Sequence, residues 1–335
     1  MNVLITAAGR SNFLLRRIRE AMAGNGCLLT TDMNAAAPAL READRSFVVP
    51  SFDEPGYLDA LLGICERHRV GLLISLLELE NPLIARHREC FERVGTFPLV
   101  QDMRVFERCR DKLATQELLR SLGVASPRTF VSLAGAEAAL EQGMLELPIV
   151  LKPRWGSGSL GVEYPATLEE LRLAYRLALL RSTVPGAGNF DEPEAPQLLI
   201  QEKLDGEEYG LDVVNDLRGR YVTTFVRRKL RMRGGNTDRA VTANHAGLSA
   251  LGRQLGEQLG HIGSMDCDVI VSGDRMVVLD MNPRIGGGLP FSLAAGANLP
   301  AALLAWRRGE AADPSWLTVE PNVVVAKFDD FTVIE

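Results

Sequence analysis

The residues of this chain with the clearest chemical potential are two aspartates in neighbouring predicted strands. Asp268 lies in one strand, Asp280 and Asn282 lie in the next, and a Ser-Gly-Asp-Arg turn at 272–275 joins them. Positions 280 and 282 share a face because side chains in a strand alternate with a period of two. A hairpin that closes at 273–274 places Asp268 opposite Asp280, where the two carboxylates repel each other. A divalent cation removes that cost, and oxygen ligands suit Mg²⁺ that bridges phosphates; the alternative is two ordinary strand-end aspartates.

A glycine-rich loop follows a predicted strand that carries a lysine. The segment reads Val-Leu-Lys-Pro-Arg-Trp-Gly-Ser-Gly-Ser-Leu-Gly-Val over 150–162, so Lys152 precedes Gly156, Ser157 and Gly158. Glycines let backbone N–H groups approach phosphate oxygens closely, and a lysine supplies a compact positive charge. The order differs from a Walker loop, in which the lysine follows the glycines. The segment is interpreted as a phosphate-binding loop or, equally well, as a plain glycine-rich hairpin.

Two further charged segments lie between these motifs. The first reads Leu-Ile-Gln-Glu-Lys-Leu-Asp-Gly-Glu-Glu over 199–208, where a strand ends at Glu202 and the chain turns at Gly206. Such a hinge exposes backbone groups to an adenine edge and a carboxylate to ribose hydroxyls, although a solvated acidic turn has the same pattern. The second segment reads Arg-Arg-Lys-Leu-Arg-Met-Arg-Gly-Gly over 227–235. It is predicted to be a loop that clamps an anion, with a solvated basic loop as the alternative.

Composition excludes several other classes of protein. The chain has 335 residues, 46% of them hydrophobic, a length that predicts two or three domains. Its net charge of −6 argues against a nucleic-acid partner. No apolar run approaches the roughly 18 residues that a membrane helix needs, so no membrane association is expected. The five cysteines are scattered, which favours reduced thiols in a cytoplasmic protein. The four histidines do not cluster, so no zinc site is expected.

The first hundred residues alternate between strand-like and helix-like segments, which predicts a parallel sheet covered by helices. Helices are expected at 11–24, 57–69 and 81–94. The turn after the first strand has one glycine where a dinucleotide site needs three, so its helix N-terminus is expected to face a cleft and to hold an anionic group. Candidate substrate contacts at the ends of these strands are Arg10, Glu78 and Glu80.

The rest of the chain is predicted to have a mixed α+β character. An amphipathic helix is expected at 111–122, and a small unit with two helices follows it. Residues 182–196 are turn-forming and are predicted to be a mobile loop. After this loop, antiparallel strands dominate, and a helix at 248–261 interrupts them.

These features, in this order and spacing, resemble the ATP-grasp superfamily, and most of all its carbamoyl-phosphate-synthase-like and carboxylate–amine ligase members. The likeness runs along nearly the whole chain through a set of short segments: Ile-Thr-Ala-Ala-Gly-Arg at 5–10, Asp-Lys at 111–112, the loop after Lys152, Gln-Glu-Lys-Leu at 201–204, Asp-x-Asn-x-Arg at 280–284, and Ala-Gly-Ala-Asn-Leu-Pro at 295–300. The resemblance implies a Rossmann-like N-terminal domain at 1–104 and an ATP-grasp domain at 105–335. A small lid subdomain would cover about 125–203.

The resemblance also implies roles for individual residues. The residues implied to bind ATP are Lys112, Lys152, Gly156, Ser157 and Gly158 at the phosphates, Glu202, Lys203 and Leu204 at the adenine, and Glu208 at the ribose. The implied magnesium ligands are Asp268, Asp280 and Asn282. The residues implied to act at the acyl-phosphate end are Arg284, Lys229 and Arg231. Both metal carboxylates are aspartates, where the family more often has the longer glutamate.

The function implied by the resemblance is that of an ATP-dependent carboxylate–amine ligase of the amino-acid or peptide type. It would form an acyl phosphate and release ADP and phosphate, with ATP and Mg²⁺ as cofactors and Mn²⁺ as a substitute. Its partners would be a small carboxylate and an amine, with no nucleic acid and no membrane, and a homodimer is compatible with this function. Two alternatives stay open: an enzyme that activates bicarbonate or carbamate, as a carboxylase or carbamoyl-phosphate synthase does, and a non-catalytic ATP-binding regulatory module.

Overall fold

The computed structural model of the chain describes residues 1–156, 158–182 and 197–334. Ser157 and residues 183–196 of the predicted loop therefore lie outside the described residues. The described residues form three sheets, of five, six and three strands. Helices cover these sheets, which confirms the predicted combination of α/β and α+β folds. No helix in the described ranges is long and apolar enough to cross a membrane.

The first sheet is parallel, and its five strands have the order β3-β2-β1-β4-β5. The strands are β1 (Asn2–Thr6), β2 (Leu28–Asp32), β3 (Arg45–Val48), β4 (Val70–Ser75) and β5 (Phe97–Leu99). The strand order reverses between β1 and β4, so a crevice opens beyond the carboxyl ends of these two strands. In open α/β sheets, ligands bind at this position.

Both faces of the first sheet are apolar, as expected for parallel strands that are covered on two sides. Val3 and Ile5 of β1 face α1 (Asn12–Met22), whereas Leu4 faces α2 (Tyr57–Arg67). Successive residues of β1 thus enter different cores, which fixes the register of this strand in the sheet.

The helix predicted at 81–94 is two helices, α3 (Asn81–Arg86) and α4 (Arg88–Arg93), so the prediction of one helix is wrong. His87 between them has φ −110° and ψ 20°. Its Nδ1 atom lies 2.9 Å from the carbonyl oxygen of Leu83. This side-chain contact with the backbone interrupts the helix, a break that apolar periodicity does not reveal.

Two short helices connect the first sheet to the rest of the chain: α5 (Met103–Arg110) and α6 (Lys112–Ser121). Each begins after an aspartate whose side chain accepts a backbone N–H, Asp102 for α5 and Asp111 for α6. Such caps satisfy donors that the first helical turn leaves unpaired. The second cap places Lys112 at the first position of α6.

The three-stranded sheet is antiparallel and has its own small core. Its strands are β6 (Thr129–Phe130), β7 (Ile149–Pro153) and β8 (Leu198–Glu202), in the order β6-β8-β7, and its helices are α7 (Leu133–Glu141) and α8 (Leu168–Ser182). The core comprises small and branched residues, including Ala136, Leu151, Leu171 and Ile200, and Phe130 of β6 packs against it. This unit, the small sheet unit, therefore packs largely on itself.

The six-stranded sheet is antiparallel, with the order β13-β12-β9-β10-β11-β14. Its strands are β9 (Glu207–Asn215), β10 (Tyr221–Arg233), β11 (Asn236–Thr242), β12 (Gly263–Ser272), β13 (Arg275–Asn282) and β14 (Val324–Ala326). The helices of this part are α9 (Ala246–Leu259), α10 (Leu289–Ala294) and α11 (Leu299–Arg307). The basic segment 227–235 is not the predicted loop, since β10 continues to Arg233 and only Gly234 and Gly235 separate it from β11.

The two faces of this large sheet differ in chemistry. One face is apolar and packs against α9 through residues such as Leu211, Val226 and Cys267. The opposite face carries, by strand alternation and register, a set of charged or polar residues: Glu208, Asp212, Arg227, Lys229, Asp266, Asp268, Asp280 and Asn282. We call this the charged face. Since basic residues on β10 lie among carboxylates on β9 and β12, the charges compensate one another within the sheet, and β10 can remain a strand.

The first sheet and the large sheet share one apolar core. Val3 and Ile5 of β1 belong to the same cluster as Phe225 of β10 and Leu293 of α10, and Leu303 of α11 closes it. Helices α1 and α11 pack directly against each other. The two sheets are therefore joined by burial as well as by chain connection.

Candidate functional site

Lys152 is a buried lysine that faces the charged face of the large sheet. It lies on β7, and only 8% of its surface is exposed. Burial lowers the pKa of Lys152 to about 8, while the charge of Asp280 opposes this change and that of Lys112 adds to it. No described carboxylate lies within ion-pair distance of its ammonium group. A buried, uncompensated ammonium group is costly, so this position suits a lysine that meets an anionic ligand.

The two aspartates of the predicted hairpin have the expected register. Asp268 of β12 lies opposite Asp280 of β13, and Asp266 lies opposite Asn282. The pKa of Asp268 is raised by burial, although Lys229 opposes this effect. One oxygen of Asp280 accepts the N–H of Met281 at 3.1 Å. The two aspartates therefore lie opposite each other as predicted, and a basic neighbour lowers the pKa of Asp268 against burial and the charges of Asp266 and Glu208.

That basic neighbour is Lys229, whose ammonium nitrogen lies 2.7 Å from a carboxylate oxygen of Asp268 and 2.7 Å from one of Glu208. Burial opposes the charge of Lys229, but the two carboxylates outweigh burial and raise its pKa. Lys229 was expected at the acyl-phosphate end and Glu208 at the ribose. The structure instead joins them in one ion-pair network with an expected metal ligand.

The donor set at this hairpin fits magnesium bound to a nucleotide. Among the described residues no three histidine, cysteine, aspartate or glutamate side chains are grouped as a metal cage. Two carboxylates and the buried amide of Asn282 remain as donors. Mg²⁺ needs six oxygens in an octahedron and is usually held by one or two carboxylates, water and phosphate oxygens. The protein supplies its share of this set, provided that Lys229 releases Asp268.

The glycine-rich loop lies against the start of α6 and the β10–β11 turn. The ammonium group of Lys112 donates to the carbonyl oxygen of Gly156. Gly156 and Gly158 have φ of 119° and 66°, a region that favours glycine. A Cβ atom added at Gly235 would lie 2.1 Å from the carbonyl oxygen of Gly158. The loop and the turn therefore approach each other closely at Gly158 and Gly235, and Lys112 contacts the same loop.

The expected adenine segment begins where β8 ends. Glu202 accepts a hydrogen bond from the backbone N–H of Arg128 at 2.9 Å, so its carboxylate already has a partner within the protein. Lys203 is exposed and lies 3.0 Å from Asp205. Leu204 is half-buried beside them. The segment connects the small sheet unit to β9, the strand that carries Glu208.

The three residues expected at the acyl-phosphate end have different partners. Arg284 follows β13, and its Nε atom lies 3.3 Å from a carboxylate oxygen of Glu78 near the crevice of the first sheet. Arg231 is exposed near the end of β10, 3.6 Å from Asp238. Lys229 contacts Asp268, as described above. The structure thus brings Arg284 and Glu78 together and leaves Arg231 in a separate ion pair.

The remaining candidates at the crevice differ in accessibility. Glu80 is buried and accepts hydrogen bonds from the hydroxyl groups of Thr6 and Tyr57; burial raises its pKa. Its position does not fit the expected substrate contact, because both oxygens already have partners inside the protein. Arg10 is exposed, 3.9 Å from Asp329. Glu78 is therefore the candidate whose carboxylate contacts the chain just beyond β13, at Arg284.

Sequence reasoning did not find the buried ion-pair triad formed by Asp212, Arg227 and Asp266. The guanidinium nitrogens of Arg227 lie 2.7 Å from one oxygen of each carboxylate, and Ser292 donates to Asp212 at 2.7 Å. Gly288 packs so closely on this guanidinium that a Cβ atom there would lie 1.7 Å from it. The available signal was Asp212, which lies between the apolar residues Leu211 and Val213 of β9.

Two family models match the chain. One, described as the PylC-like N-terminal domain, matches residues 3–99. The other, described as ATP-grasp in the biosynthetic pathway with Ter operon, matches residues 194–331. The first match covers the parallel sheet, and the second covers the large sheet with its charged face.

Known proteins show the same likeness. The chain is 27% identical over 274 residues to the carbamoyl phosphate synthase large chain of Rubrobacter xylanophilus, a match that covers 76% of this chain and 24% of that protein. The chain spans about a quarter of the length of the first curated relatives it matches.

Two solved structures share the fold. The biotin carboxylase of Campylobacter jejuni, solved with β,γ-ATP, has a TM-score of 0.73 and 16% identity, covering 96% of this chain and 74% of that chain. The L-amino acid ligase of Bacillus licheniformis has a TM-score of 0.68 and 18% identity, covering 90% of this chain and 74% of that chain.

The parallel sheet, the small sheet unit and the large sheet with its carboxylate hairpin define an ATP-grasp fold, and residues 194–331 match an ATP-grasp family model. At the level of sequence, the likeness is to the PylC-like N-terminal domain and to carbamoyl phosphate synthase large chains.

Proposed function

We propose that this protein is an ATP-dependent ligase that phosphorylates a small carboxylate and joins it to an amine. The observation that carries the proposal is that Lys152 lies near the Asp268–Asp280 pair. The buried ammonium group of Lys152 has no described ion-pair partner, and of the two opposed carboxylates only Asp268 has one, Lys229, so the site can take up an anion and a cation. A magnesium–triphosphate complex supplies both.

In this proposal the ATP phosphates bind to Lys112, Lys152 and the loop residues Gly156, Ser157 and Gly158. Adenine binds along the segment from Glu202 through Lys203 to Leu204, and Glu208 accepts the ribose hydroxyls once Lys229 moves. The lysines neutralise phosphate charge by position alone, without a covalent step of their own. The segment joining β8 to β9 would set the distance between nucleotide and charged face.

Magnesium held by Asp268, Asp280 and Asn282 supplies charge neutralisation for the phosphates, and Mn²⁺ can replace it. The ammonium group of Lys229 would exchange the carboxylate of Asp268 for phosphate oxygens when the cation binds. Arg284, already beside the crevice of the first sheet, would orient the acid, with Arg231 at the outer edge. With these roles, the acid would bind between the first sheet and the large sheet.

The reaction would have two steps. A carboxylate oxygen of the acid attacks the γ-phosphorus of ATP, the bond from phosphorus to the bridging oxygen breaks, and ADP leaves with that electron pair. The amine nitrogen then attacks the acyl carbon, the carbon–oxygen bond to phosphate breaks, and the amine loses a proton. The product is an amide, and exclusion of water protects the acyl phosphate from hydrolysis.

The test is trapping of the acyl phosphate with hydroxylamine during a screen of small acids. ADP release should require the correct acid, and hydroxylamine should replace the amine to give a hydroxamate. Asp280→Asn should reduce both signals by about 100-fold or more, because a neutral amide is a weaker magnesium ligand. Asp274→Asn, on the exposed turn of the same hairpin, is the matched control and should behave as the wild type. Undiminished trapping in Asp280→Asn would contradict the proposal.

The comparisons favour one alternative, activation of bicarbonate, because relatives include carbamoyl phosphate synthase and the fold is shared with biotin carboxylase. The same assay separates the two functions. ADP release that depends on bicarbonate and needs no organic acid would favour the alternative. ADP release that depends on an organic acid, with hydroxamate formation, supports the ligase.

A further inference from the structure

A second concave site lies at the opposite end of the first sheet, where the strands begin. A cavity of about 220 Å³ is lined by Asn2, Cys27, Leu29, Arg45, Arg67, His68 and Arg69. These residues cluster at the amino ends of β1 to β4. The candidate functional site lies beyond the carboxyl ends. Strands of five residues rise about 3.3 Å per residue, so roughly 15 Å of sheet separates the two sites. We call the second site the basic pocket.

The basic pocket has three arginines and no acidic residue in its lining. Within the described part of the chain, the side chains of Arg45, Arg67 and Arg69 have no hydrogen-bond or ion-pair partner. Nearby arginines behave differently, since Arg16 and Arg19 of α1 lie 2.7 Å and 2.6 Å from carboxylate oxygens. The chain contains 43 acidic and 37 basic residues. Carboxylates are therefore abundant, and their absence from this lining is a property of the pocket.

The backbone of the basic pocket is held firmly in place. The side chain of Asn2 donates to the carbonyl oxygen of His68 at 2.6 Å and accepts the N–H of Cys27 at 2.9 Å. It thereby ties the turn after α2 to the start of β2. Arg69 has a φ of 48°, a region that residues with a side chain rarely adopt. The turn between α2 and β4 keeps Arg69 in this conformation. Residues held in such conformations cluster at functional sites, which makes Arg69 a candidate for binding.

The helix dipole explains only part of this arrangement. Arg67 lies in the last turn of α2, where a cation interacts favourably with the carbonyl end of a helix. Arg45, however, begins a strand, and Arg69 lies beyond the helix. Two of the three charges thus need another reason, and their position around a shared cavity supplies one.

We propose that the basic pocket binds the phosphate group of a small molecule, at a site distinct from the ATP site. Guanidinium groups match the geometry of phosphate oxygens and bind them through paired N–H donors. The cavity is smaller than the about 300 to 1,000 Å³ of pockets for drug-sized ligands, so it takes a phosphate group and not a whole nucleotide. The phosphate is either the free ion or the end of a larger molecule.

The test is isothermal titration calorimetry with inorganic phosphate at constant ionic strength. The pocket variant Arg45→Gln/Arg67→Gln should bind phosphate at least about tenfold more weakly than the wild type, since it loses several charge-assisted hydrogen bonds. The charge-matched control is Arg104→Gln/Arg253→Gln, two exposed arginines on α5 and α9. This control and Lys152→Ala should both keep the wild-type affinity for the pocket.

Three results would overturn the proposal: no phosphate binding by the wild type, equal losses in the pocket variant and the charge-matched control, or a loss confined to Lys152→Ala. Circular dichroism establishes that each variant is folded, and Arg45→Gln alone, on an edge strand, replaces the double variant if that one is unfolded. A second titration with methyl phosphate separates the two sources. Binding of methyl phosphate as strong as that of phosphate indicates the end of a larger molecule, and binding of phosphate alone indicates the free ion.

Discussion

Arg227 illustrates at the scale of one residue how this fold places charge inside a sheet. Its side chain is 1% exposed and lies between Asp212 and Asp266. Burial opposes its charge, but the two carboxylates together raise its pKa. One oxygen of Asp212 and the Nε atom of Arg227 have no hydrogen-bond partner among the described residues. The triad is therefore a fixed part of the charged face, and its contribution can be measured by removing one member.

Arg227→Met should lower the free energy of unfolding by about 3 to 5 kcal/mol, because two buried carboxylates lose their compensating charge. The neighbouring Arg228→Met is the matched control, since Arg228 is exposed and pairs with exposed Glu207. Its loss should stay within about 1 kcal/mol. Urea denaturation of both variants measures the difference. Similar losses in the two variants would show that the triad contributes no more than a surface ion pair.

The sequence predicted some of these residues and not others, for a physical reason. Asp268, Asp280 and Asn282 could be placed together because strand alternation and a short turn determine their register. Lys152 could be selected because glycines follow it. The triad joins strands whose register depends on tertiary pairing. Arg227 was therefore assigned to the predicted anion-binding loop at 227–235. The distribution of partners among Lys229, Glu208 and Arg284 likewise depends on distances that the sequence does not contain.

At the scale of elements, the turn from β13 to α10 is built on glycines that have different environments. A Cβ atom at Gly288 would lie 1.7 Å from the guanidinium of Arg227, and one at Gly286 would lie 2.4 Å from Asp266. A Cβ atom at Gly287 would have its nearest neighbour at 3.8 Å. Two of the three glycines thus permit close packing of this turn on the triad.

Gly288→Ala should therefore destabilise the protein by about 2 kcal/mol or more, because the added methyl group must displace a buried guanidinium. It should also weaken turnover, since the same turn carries Arg284. Gly287→Ala is the control with the same change in chain entropy, and it should stay close to the wild type in both properties. Thermal unfolding and ADP release measure the two effects. Equal behaviour of the two alanine variants would remove the packing argument.

The elements themselves were predicted well where apolar periodicity was strong. Four of the five strands of the first sheet and the helix beginning near Lys112 follow from it, whereas the short strand β5 was not predicted. The break at His87 was missed because a side-chain contact with Leu83 causes it. The basic end of β10 was predicted to be an anion-binding loop because its charges were assigned to a ligand, whereas carboxylates on β9 and β12 pair with Arg227 and Lys229.

At the scale of the whole molecule, the cores divide the chain unevenly. The first sheet and the large sheet share a core through α1, α10 and α11, whereas the small sheet unit has a separate one. Partial opening of a protein follows such divisions, because a unit with its own core can separate without exposing the rest. The small sheet unit is thus expected to open first.

Hydrogen exchange should show this order. Amides of β7 and β8 should exchange at least about tenfold faster than amides of β1 and β9, because they require only local opening. Amides of β1 and β9 should exchange at similar rates, since their sheets share one core. Mass spectrometry of deuterated peptides from these strands measures the rates. Faster exchange in β1 than in β7 would contradict the assignment of cores.

The shared core also has a consequence for the way this chain can change over evolutionary time. A recombination event near residue 100 would bring in a foreign parallel sheet, and with it a foreign α1. That helix would then meet the α11 of this chain and the apolar residues that both sheets bury. Unless the two surfaces match, the hybrid would lose packing on both sides of the junction. New specificities should therefore arise in this lineage through substitutions around the crevice more readily than through exchange of whole halves.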